Sequence, residues 1–329
     1  MTSTPAPNPA PFGRVLTAMA TAFHADGSVD LDATARIAAH LVEHGNDGVV
    51  VSGTTGESPT TTVAEDGRIL AAVKDAVGDR AVVVAGVGTN ATAHSVELAQ
   101  QAEKIGVDGI LLVTPYYNKP GQAGVLHHFR TVVESADLPV MLYDVPGRTG
   151  TTIAMETYEQ AIAWDRVVAV KDAVGDLVRA VRLGQMGYAV YSGDDVNTLG
   201  FLAHGACGLV SVVGHVAGSE ISSMIEDFLG GDHATALATY QRLLPAFEAV
   251  MGVANYGATT AKGGLELLGV LDNRRVRSPL VPLDDEELAA LRTGLRLAPE
   301  IRTVLSGCDS APLAGAGAEI EPLPDLLDM

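Results

Sequence analysis

Apolar residues along the chain follow two alternating patterns. Short, nearly unbroken runs rich in β-branched residues occur at Val15–Thr21, Gly48–Thr54, Ala81–Gly88, Gly109–Pro115, Pro139–Pro146, Arg166–Ala173, Ala189–Asp195 and Cys207–His215. Because these eight runs are apolar throughout instead of alternating with polar residues, they predict parallel strands covered on both faces. Stretches of 3.6-residue periodicity between them, such as Asp32–Glu43, Glu65–Val77 and Ala93–Lys104, predict helices. Eight strand-then-helix units in about 210 residues point to an α/β fold of the closed (β/α)₈ TIM barrel type. An open doubly wound sheet is the alternative architecture. No GxGxxG follows a strand, which leaves the dinucleotide-binding form of that sheet without support.

The alternation stops after the eighth run, and only helical patterns remain up to about residue 300. In Asp232–Met251, Asp232 can cap the start while Leu237, Tyr240, Leu244, Phe247 and Met251 form one stripe. A second stripe, Leu288, Leu291 and Leu295, follows Asp284–Asp285. The expected organisation is a catalytic barrel over 13–218 and a C-terminal helical appendage over 219–305. The flanks differ in kind. Residues 1–12 hold four prolines, and residues 306–329 carry five acidic residues and no basic ones, so both are expected to be disordered.

With 329 residues, 47% of them hydrophobic, the chain can bury a large core. A net charge of −19, from 21 basic and 40 acidic residues, argues against a nucleic-acid partner, which needs a cationic footprint. An anionic small molecule stays compatible, because a few buried cations set a pocket's potential while distant surface charge is screened within about 8–10 Å. Two cysteines, Cys207 and Cys308, provide no disulfide framework, and no signal-like start or 18-residue apolar stretch occurs. The expectation is a cytoplasmic protein with no membrane partner.

Candidate chemistry begins with the lysines. There are five: Lys74, Lys104, Lys119, Lys171 and Lys262. Two sit in the identical heptapeptide VKDAVGD, at 73–79 and 170–176, so only context separates them. Lys74 lies in a helical pattern ending at Gly78 and is expected to face solvent. Lys171 ends the sixth apolar run, which in a (β/α)₈ barrel is the mouth where active sites form. An ammonium among apolar neighbours has its pKa lowered. The neutral amine can then attack a ketone, and the resulting iminium activates an adjacent methyl as a carbon nucleophile. A lysine paired with a carboxylate at a barrel end is the plainer reading of the same position.

Other strand ends carry matching chemistry. GTTGES (Gly53–Ser58) ends the second run with two hydroxyls and glycines that let backbone N–H groups approach a carboxylate, though it also reads as an ordinary strand-to-helix turn. TPYYNKP (Thr114–Pro120) and LYDVPGRTG (Leu142–Gly150) end the fourth and fifth. Taken with VKDA, this set resembles the dihydrodipicolinate synthase and N-acetylneuraminate lyase family over Arg14 to about residue 300. The resemblance implies a lysine Schiff base with pyruvate, no metal or organic cofactor, and a homotetramer built as a dimer of dimers. It implies that Lys171 forms the imine, that Tyr143 relays protons, and that Thr55 passes them toward Tyr117, which reaches a neighbouring subunit's site. Thr54 and Thr55 would hold the pyruvate carboxylate, with Gly193 and Val210 lining the pocket.

Arg148 matches the arginine with which the family's synthases bind the carboxylate of aspartate semialdehyde, a planar anion that suits a guanidinium. The implied activity is therefore condensation of pyruvate with L-aspartate 4-semialdehyde, on the path to diaminopimelate and lysine. Another pyruvate-dependent aldolase, lyase or dehydratase of the family is the alternative. One departure is Asp144, where many members have Asn; this carboxylate could tighten Arg148 or cap a loop. A metal aldolase would need ligands, yet His40/His44 and His127/His128 have no acidic or cysteine companions at ligand spacing and read as solvated helix residues. A silent binding subunit is the third class, and the retained lysine, tyrosines and arginine speak against it.

Overall fold

The computed structural model of the protein describes residues 9–253, 257–298, 301 and 305. Eight parallel strands close into a barrel in chain order: β1 (Val15–Ala18), β2 (Gly48–Val51), β3 (Val82–Gly86), β4 (Gly109–Val113), β5 (Val140–Asp144), β6 (Val167–Asp172), β7 (Ala189–Ser192) and β8 (Gly208–Ser211). Each falls inside one predicted run and is shorter than it. The surplus apolar residues leave the ladder at the strand's C-terminal end and build the loops of the barrel mouth.

The helices are α1 (Leu31–Glu43), α2 (Val63–Val77), α3 (Thr92–Ile105), α4 (Gln122–Val133), the single turn α5 (Pro146–Thr149), α6 (Met155–Ala161), α7 (Leu177–Met186), α8 (Thr198–Ala203), α9 (Gly214–Gly230), α10 (His233–Met251), α11 (Ala258–Leu267) and α12 (Asp285–Leu297). Their starts follow local chemistry. Asp30 caps α1 by accepting from the Ala33 N–H, Thr62 and Glu65 form a reciprocal capping box on α2, and Asp284 and Glu287 do the same on α12.

Strand alternation divides the core in two. Leu16, Val50, Val84, Leu111, Met141, Ala169, Tyr191 and Val210 fill the barrel interior. Val49, Val51, Val83, Ile110, Leu112, Leu142, Val170 and Val190 face the helices instead. The same alternation, continued upward by two residues, sends Tyr143 on β5 and Lys171 on β6 inward at the mouth. They are register partners on adjacent strands.

Three expectations need correction. Phe12, expected in a disordered flank, is buried in the barrel interior, with its N–H donating to the Tyr191 hydroxyl at 3.2 Å. Residues 1–8 and 306–329, the rest of the expected disordered ends, lie outside the described residues. The boundary placed after residue 218 falls inside α9, which covers β1 and α1 as the eighth barrel helix while also packing on α10. On α10 the buried face is Ala236, Thr239, Leu243, Ala246, Phe247 and Val250, whereas Leu237 is 51% exposed. Of the expected stripe, Phe247 is buried and Tyr240, Leu244 and Met251 are half-buried against the C-terminal cluster, so only Leu237 falls off the packed side. The stripe Leu288, Leu291 and Leu295 on α12 is buried as expected.

Candidate active site

Lys171 is 5% exposed, and its Nζ stands 4.4 Å from the centroid of the Tyr143 ring. Burial lowers its pKa to about 8; the nearby Asp195 carboxylate opposes this and the Arg148 guanidinium adds to it. Asp195, from the turn after β7, is itself buried and held by the Ser211 hydroxyl and by the N–H groups of Val212 (3.0 Å) and Val213 (3.3 Å). Burial raises the pKa of Asp195 while these hydrogen bonds oppose the rise, so a fixed carboxyl is kept near the amine without cancelling the amine's shift.

Above this pair opens a cavity of about 780 Å³, walled by Thr54, Tyr117, Tyr143 and Arg148 among others. Lys171 is not on that wall; it reaches the cavity's edge through its contact with Tyr143. Thr55 is buried directly behind the exposed Thr54. Gly193 lies against the end of β6, its N–H donating to the Asp172 carbonyl at 2.7 Å. Val210 is fully buried in the barrel interior. Of the expected residues, Thr54, Tyr117, Tyr143 and Arg148 share the open wall and Lys171 adjoins it through Tyr143, whereas Thr55, Gly193 and Val210 are not part of that wall.

Local backbone explains the arrangement. Ser52, Glu57, Tyr117 and Lys119 have positive φ, between 45° and 72°, and all four lie in the loops after β2 and β4. Left-handed backbone at non-glycine residues costs energy and persists where the surroundings impose it, commonly at functional sites. At Tyr117 it coincides with a side chain 89% exposed, turned to solvent at the cavity rim. Gly86 lets the loop after β2 settle close: a Cβ there would lie 2.4 Å from the Ser52 carbonyl oxygen. Arg148 stands on the one-turn α5, which Pro146 starts, and is exposed at the mouth.

Residues 11–298 match the dihydrodipicolinate synthetase family. The chain belongs to that family. A 4-hydroxy-tetrahydrodipicolinate synthase of Kineococcus radiotolerans is 56% identical over 289 residues, 88% of this chain and 94% of that protein. Synthase 2 of Streptomyces coelicolor is 52% identical, over 89% of this chain and 97% of its own length. Among solved structures, dihydrodipicolinate synthase from Cyanidioschyzon merolae with lysine bound superposes with a TM-score of 0.84 at 40% identity, covering 88% of this chain and 99% of that one. A monomeric variant of dihydrodipicolinate synthase superposes with 0.83 at 32% identity, covering 88% and 97%.

Within this family's barrel, Asp144 takes the loop-capping role: its carboxylate accepts from the Thr152 hydroxyl and the Ile153 N–H, and it also pairs with Arg179. Other side chains differ in role from expectation. Lys74 is only partly solvated, pairing with Asp108 at 2.8 Å. His128 is buried, bonded to the Thr92 hydroxyl at 3.0 Å, with a pKa that burial lowers to about 4, and His40 reaches the His215 carbonyl. Those two are packing residues, not solvated ones. Among the described residues, no group of three His, Cys, Asp or Glu side chains could hold a metal, and no helix is long and apolar enough to cross a membrane.

Sequence reasoning missed Lys262 outright. It is fully buried on α11, its Nζ paired with Glu57 of the GTTGES turn and donating to the Arg275 carbonyl at 2.7 Å. Its pKa is also lowered to about 8 by burial, with Glu57 opposing. The signal was its setting: Ala258–Leu265 offers no polar face on which a lysine could reach water. A buried lysine with a lowered pKa is thus no sufficient mark of a reactive one, and position at the mouth decides.

Proposed function

We propose that the protein condenses pyruvate with L-aspartate 4-semialdehyde, the reaction of 4-hydroxy-tetrahydrodipicolinate synthases, as a lyase of the class I Schiff-base type. The observation that carries this reading is a buried, weakly basic amine on β6 in contact with an inward phenol on β5. Neutral Lys171 adds to the pyruvate ketone carbon, a proton reaches the carbinolamine oxygen, and water leaves. The imine then loses a methyl proton, and the resulting enamine carbon attacks the aldehyde, whose oxygen takes up a proton. Tyr143 is placed to carry these protons, with Thr55 and a Tyr117 from a neighbouring subunit completing the relay. Thr54 and Thr55, with backbone of the turn, hold the pyruvate carboxylate, while Gly193 and Val210 shape the pocket floor.

Arg148 supports the choice of acceptor. An exposed guanidinium at the rim of an otherwise mostly apolar cavity suits an acceptor that brings its own carboxylate, and curated relatives of high identity bear the synthase name. Removing a hydrogen bond to a charged group costs about 1.5–3 kcal/mol, roughly tenfold to a hundredfold in affinity. Arg148→Ala should therefore raise the KM for aspartate semialdehyde by that factor with little change in the KM for pyruvate. Initial-rate kinetics with each substrate varied would check it. If N-acetylmannosamine replaced aspartate semialdehyde as the preferred acceptor after pyruvate loading, the lyase reading would stand instead.

A homotetramer in the cytoplasm completes the proposal. Tyr117 supports assembly: its phenol is 89% exposed beside the cavity rim, free to reach the neighbouring subunit's site that the family resemblance assigns to it. Sedimentation of the purified protein at monomer mass would remove that part.

A further inference from the structure

The residues that follow Tyr143 and Lys171 face the opposite way, out of the barrel. Asp144 and Asp172 are both fully buried and are register partners, so two carboxylates lie side by side between the strands and the helices. Burial alone disfavours such a pair, and it raises the pKa of Asp172. Arg179 reaches both. It sits on the first turn of α7, after the capping residue Asp176. Its Nη2 donates to Asp144 Oδ2 and, at 3.1 Å, to the Tyr158 hydroxyl; Nη1 donates to Thr152 Oγ1 at 3.1 Å; Nε faces Asp172 Oδ2 at 3.7 Å, an ion-pair distance without a hydrogen bond.

Lower in the same strand pair the ladder is irregular. Val140 pairs with Val167 but Met141 pairs with Ala169, so the register skips a residue just above the base. Above the skip, Met141, Leu142, Tyr143 and Asp144 pair in regular register with Ala169, Val170, Lys171 and Asp172, so the alignment at the mouth rests on these four pairs and on what joins the two strands beyond them. We propose that Arg179 is a positioning residue that clamps β5 to β6 at Asp144 and Asp172 and so holds the Tyr143 phenol against the Lys171 amine. A guanidinium suits this because its rigid planar fork addresses two carboxylates at once, whereas an ammonium neutralises charge without fixing their separation. The inference rests on Lys171 and Tyr143 being the reacting pair.

The test compares wild type, Arg179→Met and Arg179→Lys by thermal melting, steady-state kinetics and single-turnover borohydride trapping of the pyruvate imine. A misplacement on the ångström scale costs up to a hundredfold in rate. Arg179→Met should lose kcat by tenfold to a hundredfold with the KM for pyruvate changed by less than about threefold, and imine formation should slow in parallel. Arg179→Lys should regain most of the melting temperature and keep most of the kcat loss. Recovery of kcat together with stability in Arg179→Lys would overturn the proposal, as would unchanged kcat in folded Arg179→Met. Should Arg179→Met not fold, Arg179→Lys decides alone. Failure of the underlying reading is distinguishable, because the wild-type protein would then trap no pyruvate at all.

Discussion

Replacing Lys171 by alanine should abolish covalent capture of pyruvate and lower turnover by about 10⁴-fold or more, the scale seen when a covalent nucleophile is removed. Borohydride reduction with pyruvate should add one reduced adduct to the wild-type chain, map to Lys171, and be lost in the variant. The physical basis is the amine's environment. At pH 7 a lysine of pKa about 8 is roughly one-tenth neutral, against about one part in 3000 at the ordinary lysine value of 10.5, so burial enriches the attacking form about 300-fold. Because the folded-state pKa is depressed and the neutral form reacts, single-turnover imine formation should rise from pH 6 through about 8 and level off above it. An adduct that maps to Lys262, or a rise centred near the pKa of an exposed lysine, would remove the central claim. That control has weight, since Lys262 is equally buried and its pKa is lowered to about the same value.

The barrel was legible because parallel strands covered on both faces leave an unmistakable mark, eight apolar runs punctuated by helical periodicity. From barrel geometry came the choice between the two copies of VKDAVGD, one placing Lys74 on a helix beside Asp108 and the other ending β6 beside Tyr143. What stayed hidden is contact across long sequence distance. Asp144 was visible as a departure, but its partner Arg179 lies 35 residues later on a helix whose facing no local pattern reveals. Glu57 and Lys262 are 205 residues apart. On α10 the stripe was offset, not absent: Phe247 is buried and Tyr240, Leu244 and Met251 are half-buried, while Leu237 is exposed and the buried Leu243 and Val250 lay outside the expected stripe.

Lys262→Met should be the most destabilising single change outside the reacting pair. The lysine and Glu57 both have side chains 1% exposed, and they join α11 of the C-terminal helices to the turn after β2. Glu57 also accepts from the Arg277 N–H at 2.8 Å, and the Lys262 ammonium stands 4.2 Å over the Phe23 ring. Removing one partner of a buried pair strands the other charge, at a cost of about 3–5 kcal/mol. A lowering of the melting temperature by roughly 6–20 °C is expected, taking 2–4 °C per kcal/mol for a chain of this size class. The double variant Glu57→Gln/Lys262→Met removes both charges and should recover much of that loss, because a buried pair replaced by uncharged groups is often near neutral. Chemical denaturation of these two variants and of Glu57→Gln alone measures the coupling directly. If the single and double variants were equally destabilised, or the single variant melted like wild type, the pair would be a bystander to folding. The turn it anchors is the one bearing Thr54 and Thr55, so folded single-variant protein should also show a raised KM for pyruvate, a change that loss of stability alone does not produce.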